Sequence, residues 1–252
     1  MMAKYTAEAG TVDQTEIDRF SQLAQDWWDE RGPMGPLHAM NPLRMSYIRQ
    51  QFVDVFSLDS AELQPFKGLR MLDLGCGGGI ISEPLARLGA DLVAIDAAED
   101  SIEIAKLHAA DADLEIDYRC TTAEALVDAG ELFDAVISME VLEHVADIST
   151  FIGACGALLR PGGAIALSTI NRTPKAYALG IALAEHVLHM LPVGTHDYEK
   201  FVKPGELNRH LRAVGINLTD VTGMIYSPLA RDWRFSRDKA VNYLAFGQKP
   251  GN

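Results

Sequence analysis

Short apolar runs recur along this chain, each followed by a turn and then by a longer stretch with helical spacing. The runs are Leu69–Leu74, Asp91–Ile95, Leu132–Ser138 and Ala164–Thr169. Runs of this length, separated by helical patterns, predict buried parallel strands joined by crossover helices. Ahead of them, Ile17, Phe20, Leu23, Ala24 and Trp27 fall on one face of a helix predicted over 12–30. Residues 31–42 hold Gly32, Pro33, Gly35, Pro36 and Pro42, which predict a loop. A second helix is expected from Leu43 to Phe56, and two closing strands near 216–226 and 239–247. The chain therefore divides into a helical cap at 1–59 and an α/β domain at 60–252, with an insertion at 173–206. No internal repeat or low-complexity tract interrupts this pattern.

The first of these strands carries the most information. It runs into Gly75-Cys76-Gly77-Gly78-Gly79, and a helical pattern begins at Ile80. Strand, glycine-rich turn and helix form the nucleotide-binding start of a doubly wound domain. About twenty residues on, the next strand ends at Asp96, where such folds set an acidic side chain against ribose hydroxyls. The alternative for Asp96 is a loop aspartate capping the next helix. The dinucleotide spacing is broken, because the last glycine slot falls on Ile80. No lysine follows the turn, so a phosphate-cradling loop is excluded. Asp73 before the glycines, with Asp96 after the second strand, resembles the Rossmann-like class I methyltransferases that use S-adenosylmethionine (SAM). That ligand carries no phosphates, so the turn must make room for a nucleoside rather than supply a bed of N–H donors.

Later segments narrow the resemblance. Phe133-Asp134-Ala135-Val136, Leu142-Glu143-His144-Val145 and Leu158-Leu159-Arg160-Pro161-Gly162-Gly163 occur in the order that class I methyltransferases show. Asn41-Pro42-Leu43-Arg44, Glu140-x-x-Glu143-His144, Thr169-Ile170-Asn171-Arg172 and Gly194-Thr195-His196-Asp197 are similar to segments of the ubiquinone-biosynthesis O-methyltransferases. The likeness runs from about Val12 to about Phe246. It implies a seven-stranded, mostly parallel sheet with helices on both faces, a helical cap and an inserted lid. It also implies SAM as methyl donor and a hydrophobic, polyprenylated catechol or quinol as acceptor, methylated at both O-methylation steps of that pathway. Contact with the inner membrane and membership of a biosynthetic complex are further implications of the family. Two rivals stay open: a methyltransferase for another small acceptor, and a non-catalytic, methyltransferase-like subunit. Intact Gly75, Gly77, Asp96 and the Glu140–His144 set argue against the second.

Composition removes other classes. Hydrophobic residues make up 48% of the 252, enough for a large core. A net charge of −13 argues against a nucleic-acid partner, which needs clustered Lys and Arg. Cys76, Cys120 and Cys155 match no zinc spacing and read as reduced thiols, which suits a cytoplasmic protein. The polar N-terminal segment carries no apolar signal region. Lys175–Val193 is apolar but broken by Glu185, His186 and His189, so it falls short of the ~20 residues of a membrane span. A lid, a membrane-surface contact and ordinary core packing are the three readings of that segment.

Methyl transfer to a phenol needs an aligned acceptor and a route for its proton, since a phenol has a pKa of about 10. Glu140, Glu143 and His144 have i, i+3, i+4 spacing and share a face if the segment is helical. They suit a divalent cation (Mg²⁺ or Zn²⁺) that binds the acceptor oxygens. His144 alone suits a general base. A third reading has the carboxylates solvating a helix start and His144 packing against the cofactor loop. Arg44 is a candidate for the methionine carboxylate of the cofactor, and Met139 for packing on its adenosyl group. Thr122, Ala123 and Glu124 are placed to flank the adenine. One of Trp27 and Trp28 is expected in the core and the other beside the acceptor or in outer packing.

Overall fold

The computed structural model describes residues 10–178, 197–227 and 232–251. Elements follow in the order α1 (Gln14–Gln22), α2 (Gly35–Val55), β1 (Arg70–Leu74), α3 (Ser82–Arg87), β2 (Asp91–Asp96), α4 (Glu99–Asp111) and β3 (Asp117–Cys120). Then come α5 (Ala123–Asp128), β4 (Phe133–Met139), α6 (Ile148–Leu158), β5 (Leu159–Ile170), the short α7 (Pro174–Ala176), α8 (Pro204–Ala213), β6 (Asn217–Ser227), β7 (Asp232–Ser236) and β8 (Asn242–Gln248). The strands form one sheet in the order β3-β2-β1-β4-β5-β8-β6-β7. β1 to β5 pair in parallel, and β8 runs antiparallel between β5 and β6. This is the class I methyltransferase architecture.

Alternation along each strand sends side chains to two cores. Leu72, Val136, Ile165 and Tyr243 face α5, α6 and α8. Met71, Ile137, Ala166 and Leu244 face α2 and α3. Both faces of the sheet are thus covered, which is why its strands read as nearly continuous apolar runs. The chain order switches between β1 and β4, and the site opens at the carboxyl ends of those strands.

Three expectations need correction. The sheet has eight strands, not seven, because β7 adds antiparallel to β6 at the edge. Its five residues, Asp-Trp-Arg-Phe-Ser, are short and charged in the way of edge strands, so no long apolar run announces it. The helix predicted over 12–30 stops at Gln22 and continues as a 3-10 turn at Ala24–Asp26. The predicted loop at 31–42 is largely helix, because α2 starts at Gly35. Pro36 sits in its first turn, where a missing N–H costs nothing. Pro42 lies inside the helix, where the neighbouring Asn41 anchors the chain by donating from its side-chain amide to Ile80 O at 2.8 Å. Residues 179–193 of the segment read as lid or membrane contact, and 194–196, lie outside the described residues. Among the described residues no helix is long and apolar enough to cross a membrane.

The turn after α1 clamps the glycine-rich turn. A Cβ added at Gly77 would lie 2.3 Å from the Trp27 ring, and one at Gly78 would lie 2.4 Å from it. Trp27 donates its indole N–H to Ser101 at 3.1 Å, and Trp28 donates to Gly78 O at 3.0 Å. Trp28 also stacks on His108, with ring centroids 3.4 Å apart and planes 3° apart. His108 is fixed in turn by Glu83 at 2.5 Å. Both tryptophans therefore hold the N-terminal segment on the domain. Trp28→Ala should lose the stack and the hydrogen bond, about 2–3 kcal/mol in urea unfolding. Trp28→Phe should keep most of the stack and lose about 1 kcal/mol. Equal losses for the two variants would show that the ring contributes nothing.

Candidate functional site

A cleft of about 1590 Å³ opens over the carboxyl ends of β1, β2 and β4. Gly75, Gly77, Asp96, Arg44, Met139, Glu140, Glu143 and His144 all line it. The chain thus gathers these eight residues around one cavity, although not in the arrangement expected of each, while Trp28 and Glu124 stand outside it.

At the glycine end, Gly75 and Gly77 have φ of 77° and 51°, which side chains rarely adopt. The Gly75 N–H donates to Ile95 O at 2.8 Å, joining the turn to β2. The Gly77 N–H donates to one Asp96 oxygen at 2.9 Å, and the Ala98 N–H donates to the other at 2.8 Å. Burial pushes the Asp96 carboxyl up from the ordinary range, while these backbone N–H groups oppose the shift. Asp73 lies beneath the turn, 2% exposed, and accepts from Ser82 Oγ at 2.6 Å. Burial pushes Asp73 up to about 7; the Ser82 bond opposes this and the nearby Asp96 adds to it. Thr122 and Ala123 line the cleft, whereas Glu124 accepts from the Thr11 N–H at 2.6 Å.

At the other end, Arg44 is buried, 2% exposed, and meets Glu140 at 3.0 Å. Its Nε has no hydrogen-bond partner among the described residues. Glu140 follows β4 with a φ of 57°, a strained conformation for a residue with a side chain. Its N–H donates to Ser168 Oγ at 3.0 Å, and Ser168 donates back to its carboxylate at 2.7 Å. Glu143 is 3% exposed and accepts from Thr169 Oγ1 at 2.6 Å. Burial pushes its carboxyl far above the usual range, and the Glu140 charge adds to the shift. His144 meets Glu16 of α1 at 2.8 Å through Nδ1, and the Phe20 ring stands edge-on to it at 5.3 Å. Burial pushes Glu16 up, but the bond to His144 and the charges of His144, Arg19 and Lys200 outweigh it and hold Glu16 below its ordinary value.

The helix expected over Glu140–His144 does not form. Glu140 turns left-handed, because its N–H is taken by the end of β5, and Leu142–His144 form a turn closed by His144 N–H to Val141 O at 2.8 Å. The three side chains go to three different neighbours: Arg44 with Ser168, Thr169, and Glu16. Among the described residues no three His, Cys, Asp or Glu side chains are gathered so that they could hold a metal ion. The spacing therefore does not yield the cation ligand set, and Arg44 finds its partner in Glu140.

Residues 72–167 match a family model described as a methyltransferase domain. The "Ubiquinone biosynthesis O-methyltransferase" of Sinorhizobium fredii is 52% identical over 240 residues, covering 95% of this chain and 97% of that relative. The chain belongs to the ubiquinone biosynthesis O-methyltransferase family. The Mesorhizobium japonicum member is likewise 52% identical, over 239 residues. Among solved structures, magnesium protoporphyrin IX methyltransferase from Synechocystis PCC 6803 with bound SAH superposes with a TM-score of 0.66 over 94% of this chain and 100% of that one. At 18% identity that likeness speaks to the fold alone.

Sequence reasoning missed Glu16, Phe20, Ser168 and the position of Trp27 over the turn. Glu16 and Phe20 lie on the amphipathic α1 and carry no local mark of their distant partner. Ser168 immediately precedes the Thr169-Ile170-Asn171 segment, and its place at a strand end was the available signal.

Asp73 makes a pH-dependent signature in this family member. Its folded pKa lies above the ordinary 3.8, so its contribution to stability is full below 3.8 and is lost as pH rises to about 7. Asp73→Asn keeps an acceptor for Ser82 and does not ionise. Urea unfolding at about pH 5 and about pH 8 should show wild type losing stability relative to the variant. A constant difference between the two proteins across that range would mean that Asp73 is not raised.

Proposed function

We propose that this chain transfers the methyl group of SAM to a phenolic hydroxyl of polyprenylated catechol and quinol intermediates in ubiquinone biosynthesis. Both O-methylation steps, on 2-polyprenyl-6-hydroxyphenol and on 3-demethylubiquinol, fall within this reading. The observation that carries it is the 52% identity to a curated enzyme of that name over 95% of the chain.

The cleft's donor and acceptor groups suit SAM, which supplies a methyl group activated by a sulfonium charge. Asp96 spends one lone pair of each oxygen on a backbone N–H and keeps another on each for ribose hydroxyls. Arg44 keeps its unpartnered Nε for the methionine carboxylate, while Glu140 balances its charge. Met139, 8% exposed at the end of β4, packs on the adenosyl side. Trp27 and Phe20 cover the cleft and keep water from the reacting atoms. His144 takes the phenol proton: Glu16 and Arg19 both lie at its Nδ1, and the Glu16 carboxylate steadies the imidazolium that forms. Glu140 and Glu143 are engaged elsewhere, so no step is assigned to a divalent cation.

The test is incubation of exhaustively chelated protein with SAM and a prenylated catechol, followed by mass spectrometry. A product heavier by one methyl group is expected, and His144→Ala should cut its rate about 10²–10⁴-fold. No methylated product with or without added Mg²⁺ or Zn²⁺ would overturn the proposal. Product seen only after adding either ion would remove His144 as sole base and restore the cation.

A further inference from the structure

The cleft is larger than its cofactor end needs. Ligand pockets for molecules of drug size commonly measure about 300–1,000 Å³. This cavity, at about 1590 Å³, continues from Arg44 and Glu140 into a groove with two apolar walls. One wall is the start of α2, with Pro36, Ala39 and Met40. The other is the β6–β7 pair, with Met224, Tyr226 and Trp233. Register explains the second wall. Met224 pairs with Phe235 and Tyr226 pairs with Trp233, so these four side chains share the sheet face turned toward α2. Met224 is buried at 1%, whereas Tyr226 is 48% exposed. The groove is thus sealed at its inner end and open at its outer end. The Tyr226 and Trp233 rings stand 5.7 Å apart at the open end. Exposed Tyr226 and half-buried Trp233 thus extend the apolar surface of the cavity toward solvent, and contiguous apolar surface of this kind suits a ligand.

We propose that this groove binds the first isoprene units of the acceptor's tail, with α2 and the β6–β7 pair as its two sides. The inference rests on reading the acceptor as a polyprenylated phenol. Isoprene units have no polar atoms and need only removal from water, which these six side chains provide. The buried Arg44–Glu140 pair at the inner end keeps the polar ring there and sends the tail outward. The edge strand β7, which takes the sheet beyond the expected seven strands, supplies Trp233. Phe235 lies on the same strand, packs near Tyr47 with centroids 6.2 Å apart and does not line the cleft.

The experiment compares two acceptors, catechol and catechol bearing a two-unit isoprenoid chain, with wild type and the variants Trp233→Ala, Tyr226→Ala and Phe235→Ala. Methylation kinetics and calorimetric binding are both measured. Trp233→Ala and Tyr226→Ala should each raise KM and Kd for the prenylated acceptor about tenfold and leave those for catechol within about twofold. Phe235→Ala should not separate the two acceptors. If Trp233→Ala fails to fold, Tyr226→Ala, at an exposed position, carries the test alone. Equal losses with both acceptors, or no loss with either, would overturn the groove. If wild type methylates neither acceptor but binds the prenylated one in a manner dependent on Trp233 and Tyr226, the proposed reaction falls and the groove stands. If wild type binds the prenylated acceptor no better than catechol, the groove falls whatever the reaction.

Discussion

The site depends on one hydrogen bond, from the backbone N–H of Gly77 to the carboxylate of Asp96 at 2.9 Å. A carboxylate drawn partly out of water is costly unless its oxygens are satisfied. Here the glycine turn satisfies one oxygen and the start of the next helix satisfies the other. The bond needs the Gly77 amide aimed at β2, and that requires the positive φ that glycine tolerates. The missing side chain also leaves the space that Trp27 fills. One turn therefore orients the acidic group, fixes the ends of β1 and β2, and seats the N-terminal segment over the cleft. With that segment in place, α1 can bring Glu16 to His144.

The acidic groups at the other end are separated by the partners they find. Glu140 pairs with a buried arginine, burial raises the Glu143 carboxyl, and Glu16 is held below its ordinary value beside an imidazole. Three carboxyl groups near one cavity are thus set apart by their neighbours rather than by residue type. The strained Glu140 backbone is held by two bonds from its N–H to Ser168, which carries β5 into the site. Strain of this kind persists only where surrounding contacts over-determine it.

Much of this was legible in the chain. The parallel strands announced themselves as short apolar runs because both faces of the sheet are buried. The placement of Gly75, Gly77 and Asp96 together was readable because a local turn and a strand end set it. What failed was whatever depends on partners distant in sequence. The i, i+3, i+4 spacing of Glu140, Glu143 and His144 predicted a helical face, but the end of β5 captured the Glu140 N–H and turned the chain. Pro36 and Pro42 read as loop signals, yet the first needs no N–H at a helix start and the second is accommodated. β7 was too short and too charged to stand out. Nothing in α1 marks Glu16 as the partner of a histidine 128 residues away.

The central claim is that the Gly77-bound carboxylate of Asp96 is the cofactor's ribose site. Calorimetric titration of SAM into wild type and Asp96→Ala tests it directly, with the urea unfolding transition of each protein as the check on folding. Affinity should fall at least about tenfold in a variant that still unfolds cooperatively, because charge-assisted hydrogen bonds are each worth about 1.5–3 kcal/mol. A folded variant that binds SAM as tightly as wild type would contradict the account.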